Sequence, residues 1–289
     1  MLKLGCQVSI SGKIYESIDR AKFLGCNTMQ IFTRNPRQWR KANLSEEDIK
    51  IFREKAEDEK IKPIVAHIPY TLNLAAFKKR FHKITIREFT QDLIEVDKLN
   101  IEYLVTHMGS HKGLTETEGL MRVIEALEKI LENTPKVKTM ILLENTSGSG
   151  SWLGYKFVHQ HIVLEKLNWT DRIGLCLDTA HAWAAGYKID NLEGLNKLLD
   201  EIESEVGIER LKIVHLNDTK EKLNSRKDRH FDIGKGLIGD KGFYHILNHQ
   251  KLKNLTFILE TPKKSHQDDI RNLETVRRLV RWNIQKQLI

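Results

Sequence analysis

The sequence predicts an α/β protein in which eight parallel strands alternate with helices around a closed barrel. Three observations predict it. Eight short apolar runs are spread along 289 residues, amphipathic stretches of helical spacing separate them, and no Pro/Gly/Ser-rich linker divides the chain. Eight strand–helix units are the number that closes a (β/α)8 TIM barrel, and such barrels form single domains of about 250 residues, so 1–289 is read as one domain.

The runs are LKLGCQV (2–8), TMQIF (28–32), PIVAH (63–67), YLVTH (103–107), MILLE (140–144), IGLCLD (173–178), LKIVHL (211–216) and TFILE (256–260). Short, nearly continuous apolar runs suit strands buried on both faces. After the first, IYESIDRAKFLG turns Ile14, Ile18, Ala21 and Phe23 largely to one side, and Gly25 with Asn27 stops that helix before the second run. Helical spacing recurs in EEDIKIFREKAEDEK, ITIREFTQDLIEVDKL, GLMRVIEALEKILEN, NLEGLNKLLDEIESEV and DIRNLETVRRLVRW. Strand–helix alternation implies parallel pairing. An open doubly wound sheet is the alternative, but GCQVSISG after the first run lacks a G-x-G-x-x-G phosphate loop.

Composition narrows the class. Apolar residues are 40% of the chain and charged residues 30%, as in soluble globular proteins. No stretch approaches the roughly 18 apolar residues of a membrane helix, and the start has no secretory-signal pattern. Three cysteines, Cys6, Cys26 and Cys176, with no C-x-x-C, read as reduced thiols and a cytoplasmic setting. The formal charge of +8 favours a polyanionic partner, although a lysine-rich solvated surface gives the same number.

The ends of the runs carry the chemistry. Runs three to eight finish, or nearly finish, with His67, His107, Glu144, Asp178, His215 and Glu260, although His and acids (12 and 39 of 289 residues) are only about one in six. In a β/α barrel all these ends share the face where active sites are built. Crowded, partly buried imidazoles and carboxylates need a cation among them, and a His/carboxylate mixture suits Zn²⁺. His181 follows Asp178 by three residues and is expected from the next loop. NSRKDRHFDIGKG adds Asp228 and His230, whose spacing points both side chains the same way in extended chain. Alone, a D-x-H pair is more often a hydrogen-bonded loop; with six strand-end candidates it reads as a chelating pair.

Other features are weaker. His82, His111, His159, His161, His245, His249 and His266 read as surface or capping residues. ENTSGSGSWLG after Glu144 can turn sharply towards a ligand or be an ordinary loop. FTRNPRQWRK supplies Arg34, Arg37, Arg40, Lys41 and Trp39, and Tyr70 lies three residues beyond His67, a mixture that can neutralise phosphate and wedge into a base stack.

From FTRNPRQW through HIPYTLNLA, THMGSHKG, LLENTSGSGSWLG, LDTAHAWAAGY, HLNDTK, SRKDRHFDIGKGLIG and LETP, the sequence closely resembles the endonuclease IV family of apurinic/apyrimidinic (AP) DNA repair endonucleases. The resemblance implies three Zn²⁺, with Mn²⁺ as an alternative at some positions. It implies His67 and His107 on one ion, Glu144 bridging to a second that also takes Asp178, His215 and Glu260, and His181, Asp228 and His230 on a third. Glu144 and Glu260 are the implied catalytic residues, and Arg37 and Tyr70 the implied DNA contacts at the lesion. The implied activity is hydrolysis of the phosphodiester 5′ to an abasic site in double-stranded DNA by a soluble monomer. Gln7 departs from the His common in the family at a position not used as a ligand, and Ser147 replaces a commoner Ala. Two other classes stay open on the residues alone: a metal-dependent sugar isomerase on the same barrel, which leaves the third ligand set unexplained, and a non-catalytic damage binder, which has no need of open metal positions.

Overall fold

The computed structural model describes residues 2–34 and 44–286, with side chains to 280. Eight strands close a barrel in sequence order: β1 (Lys3–Val8), β2 (Met29–Phe32), β3 (Ile64–His67), β4 (Tyr103–His107), β5 (Met140–Glu144), β6 (Ile173–Asp178), β7 (Leu211–Leu216) and β8 (Thr256–Leu259). Each neighbouring pair is parallel, and β8 closes onto β1. The predicted barrel is observed; Glu260 falls one residue past the end of β8.

The helices are α1 (Glu16–Phe23), α2 (Glu46–Asp58), α3 (Lys79–Lys98), α4 (Glu116–Asn133), α5 (Phe157–Lys166), α6 (Thr179–Ala185), α7 (Leu192–Glu205), α8 (Gly239–Asn248) and α9 (His266–Lys286). Capping boxes start α2 at Ser45/Asp48 and α4 at Thr115/Glu118. Three helices have no counterpart in the sequence reading: α5, α6 and α8 are only seven to ten residues long, too short for a clear period. Phe23, assigned to the apolar side of α1, is instead 70% exposed at the helix end.

Period-two alternation builds two cores. Outward strand residues such as Cys6, Ile31, Ala66, Leu104 and Leu143 pack against the helices. Inward residues form a separate plug inside the barrel: Val65, Val105, Leu142, Cys176, Ile213 and Ile258. Each plug residue stands two positions before one of the six strand-end candidates, so those six side chains project into the barrel mouth just above it. Burial pushes the Cys176 thiol up to about 12, so this cysteine acts as packing and not as a nucleophile. All three cysteines are buried and free. No helix among the described residues is long and apolar enough to cross a membrane.

Three polar expectations are corrected by the packing. Arg34 does not face outward. It is buried and pairs with Glu88 at 3.0 Å and Asp92 at 2.8 Å on α3. His82 and His159 are buried as well, His82 Nε2 hydrogen-bonding the Arg122 carbonyl at 2.8 Å and His159 Nδ1 accepting from Gly154 N–H at 2.9 Å. A sequence period assigns a side chain to one face of its own element, but not to a partner elsewhere in the chain.

Candidate metal centre

Glu144 is the hub. Fully buried at the end of β5, its Oε2 lies 3.2 Å from His67 Nε2 and 3.1 Å from His107 Nε2. Its Oε1 lies 3.3 Å from His181 Nδ1 and 3.1 Å from His215 Nδ1. One carboxylate thus meets imidazoles from four elements. Burial alone would push its pKa up, but the His107 and His215 charges and the hydrogen bonds hold it well below the usual carboxylate range.

Around this hub the side chains fall into three groups whose ligand atoms lie within 4.8 Å of one another: His67, His107 and Glu144; Glu144, Asp178, His215 and Glu260; and Asp178, His181 and His230. Asp228 stands beside the third, its Oδ1 3.2 Å from His181 Nε2 and 3.5 Å from His230 Nε2, with a side chain 49% exposed. Partial burial opposes its ionisation, but the hydrogen bond and charge of His181 outweigh this and hold the carboxyl far down. Asp178 therefore faces two groups, where the family pattern implies only one.

His181 sits on a helix and not in a loop. Asp178 ends β6 and is also the N-cap of α6, its Oδ1 accepting from His181 N–H at 2.8 Å. The three-residue spacing is thus an N-cap geometry that fixes both side chains by one hydrogen bond.

The imidazoles show what the cluster is built to hold. His67 Nδ1–H donates to the Ile68 carbonyl at 2.7 Å, His181 Nδ1–H to the Asn145 carbonyl at 3.0 Å, and His230 Nδ1–H to the Glu260 carbonyl at 3.3 Å. His215 Nε2–H donates to Gln30 Oε1 at 2.8 Å. Each bond takes up one ring nitrogen and leaves the other facing the carboxylates, the arrangement used by metal-ligating histidines, in which a cation would stand in place of the second proton. His230 Nε2 is buried without a hydrogen-bond partner, 3.6 Å from Asp178 and 3.5 Å from Asp228. A buried lone pair among carboxylates fits a divalent cation.

Several organising residues escaped the sequence reading. Gln30 Nε2 donates to Glu260 Oε1 at 2.6 Å and to Gln7 Oε1 at 2.9 Å. β1 and β2 thus fill the ligand layer with amides in place of ligands. Gln7 and Gln30 are register partners, so their departure from an apolar strand pattern was the available signal. Asn145 and Asn217 clamp Asp178, through its backbone N–H at 2.7 Å and its Oδ2 at 2.6 Å. Asp218 accepts from Gly236, Ile238 and Gly239 N–H and so shapes the loop that carries Asp228 and His230.

Replacing Gln30 with Leu keeps the volume roughly and removes these bonds. Zinc retention against a chelator is expected to fall about 10–100-fold, with the melting temperature of the stripped protein little changed. Unaltered retention would show that Gln30 only fills space.

Tyr70 lies at the rim, 59% exposed, its ring centroid 5.4 Å from Phe32 and 5.9 Å from His67. Arg37, with Trp39, Arg40 and Lys41, lies outside the described residues.

Fold and site define a β/α-barrel enzyme with several candidate metal-ligand clusters at the strand C-termini, and residues 18–283 match the family model of the xylose isomerase-like TIM barrel. Within that class the relatives are specific. A Halothermothrix orenii protein named as an endonuclease 4 is 39% identical over 281 residues, covering 96% of this chain and 100% of its own. One from Methanosphaerula palustris is 40% identical over 281 residues, covering 96% and 98%. The crystal structure of endonuclease IV from Thermus thermophilus superposes with a TM-score of 0.86 at 33% identity, covering 97% of this chain and 99% of that one. The chain belongs to the endonuclease IV family and is an AP endonuclease, a DNA repair hydrolase. A D-tagatose 3-epimerase-like protein, at 22% identity and TM-score 0.74, shares the barrel fold.

Proposed function

We propose that the chain is a zinc-dependent AP endonuclease that hydrolyses the phosphodiester 5′ to an abasic site in double-stranded DNA. The products are a 3′-OH and a 5′-deoxyribose phosphate, and the same centre removes 3′ blocking groups. The observation that carries this reading is the convergence of His67, His107, His181 and His215 on the buried Glu144 carboxylate.

His67 and His107 would hold one ion, with Glu144 bridging to a second held by Asp178, His215 and Glu260. His181, Asp228 and His230 would hold the third. Zinc is the expected ion at all three, with Mn²⁺ as an alternative at some. Bound zinc supplies Lewis-acid activation of phosphate and of water. Three divalent ions against four carboxylates leave a positive site for a DNA phosphate. Glu260, one oxygen fixed by Gln30 and the other 3.3 Å from His215, is placed to orient the attacking water and take its proton. Tyr70 and Arg37 would fill the space left by the missing base and hold the bent duplex. An abasic nucleotide is the natural target because no base pair must be broken to extrude it. The protein would act as a monomer in the cytoplasm.

The test is an end-labelled duplex with one abasic analogue. A single cut on its 5′ side, leaving 3′-OH, is expected; no cut with zinc supplied sinks the proposal. Tyr70→Ala should keep its metal but lose about tenfold of its preference for abasic over intact duplex, or about 1.4 kcal/mol, since the ring would no longer help repay the cost of unstacking at the lesion. An unchanged affinity ratio would assign Tyr70 to packing.

A further inference from the structure

The segment AAFKKRFHK, at the start of α3, belongs to no part of the site described above. From Ile68 to Arg87 the chain has no acid and carries Lys78, Lys79, Arg80, Lys83 and Arg87. Where α2 and α4 put acids in their first turns, α3 has none and begins with Lys79 and Arg80. Cations at the positive end of a helix are unfavourable. Among the described residues no ion pair involves Lys78, Lys79, Arg80, Lys83 or Lys112, whereas Lys13, Lys22, Lys55 and Lys62 each have an acidic partner. Between these cations Phe77 and Phe81 stand 52% and 50% exposed, with Lys78 Nζ 6.0 Å from the Phe81 ring.

The patch is tied to its neighbouring loop and shares the rim of the metal face. Asn73 ties the β3–α3 loop to Ser110 in the β4–α4 loop through bonds of 2.9 and 3.0 Å. The Phe77 ring lies against Gly113, where an added Cβ would come 3.3 Å from it. Those two loops follow His67 and His107 directly, so the patch continues outward from the same side of the centre.

Unpaired cations on this rim suit phosphates. Exposed rings suit base faces, and only an unpaired strand offers these, because in a duplex they are already stacked. We propose that Phe77, Lys79, Arg80, Phe81, Lys83 and Lys112 hold an unpaired stretch of a DNA strand running out of the cleavage site. This rests on the DNA reading above. It gives the enzyme a preference for lesions beside gaps, frayed ends or overhangs.

The experiment compares a blunt abasic duplex with duplexes bearing a single-stranded tail of about ten nucleotides on each of the four ends in turn. One tail is expected to strengthen binding about tenfold. Phe77→Ala with Phe81→Ala should remove that gain. Lys79→Gln, Arg80→Gln and Lys83→Gln together should lower the salt slope on the tailed duplex by about 2. Cutting of the blunt duplex should stay unchanged in both variants. If the blunt duplex is bound and cut but no tail strengthens binding, the patch has another use and the cleavage reading stands. Binding of the patch to anionic lipid vesicles, with no tail effect, overturns the proposal in the same way. If the blunt duplex is neither bound nor cut, both readings fall.

Discussion

Glu144→Gln is expected to lower cleavage of an abasic duplex by about a thousandfold or more, or roughly 4 kcal/mol of transition-state stabilisation. The substitution changes one oxygen to a nitrogen, so volume and packing in the β5 strand end are kept. What changes is chemistry at the hub. The carboxylate presents oxygens to His67 and His107 on one side and to His181 and His215 on the other, all at 3.1 to 3.3 Å. An amide can offer only one oxygen, without a full negative charge, and turns an N–H donor towards the opposite pair. A residue that bridges two ions should therefore cost both, whereas a ligand at the edge, such as Asp228, should cost one. Zinc analysis and single-turnover cleavage, run together on both variants, check this. Full zinc content with near-normal cleavage in Glu144→Gln would end the bridging assignment.

Removing the metal should abolish cleavage and also loosen the barrel mouth. Glu144, Asp178, His215 and Glu260 converge within 4.8 Å, and three of the four are carboxylates. Ions that bind only the folded state stabilise it by about 4 kcal/mol per site at a thousandfold excess over the dissociation constant. For a chain of this size that is about 10 °C or more in melting temperature. Stripping with a chelator should produce that fall and zinc should reverse it, with more than two ions regained per chain. Acidification should release zinc as well, because imidazole must be neutral and carboxylate ionised to bind. A stripped protein that still cut at the original rate, with an unchanged melting temperature, would contradict a metal centre here.

The sequence by itself determined the barrel and six of the site's side chains. The reason is local. Each strand is a short apolar run, its inward residues alternate, and in a parallel barrel every C-terminal end meets the same face. His67, His107, Glu144, Asp178, His215 and Glu260 could be read from the ends of their own runs, and their plug partners lie two residues before. Asp178 and His181 were legible as a pair, but the N-cap that joins them was not, because α6 is only seven residues long. Tertiary structure alone decided the polar supports. Gln30 takes its role from Glu260, 230 positions away, and Asn217 from Asp178, 39 away. It also turned Arg34 inward to Glu88 and Asp92, although its neighbours in sequence suggested a DNA contact. An apolar side chain's fate follows from its periodicity, since any neighbour that excludes water will serve it. A polar side chain's fate depends on a particular donor or acceptor at hydrogen-bond distance, and only the closed barrel brings those partners together.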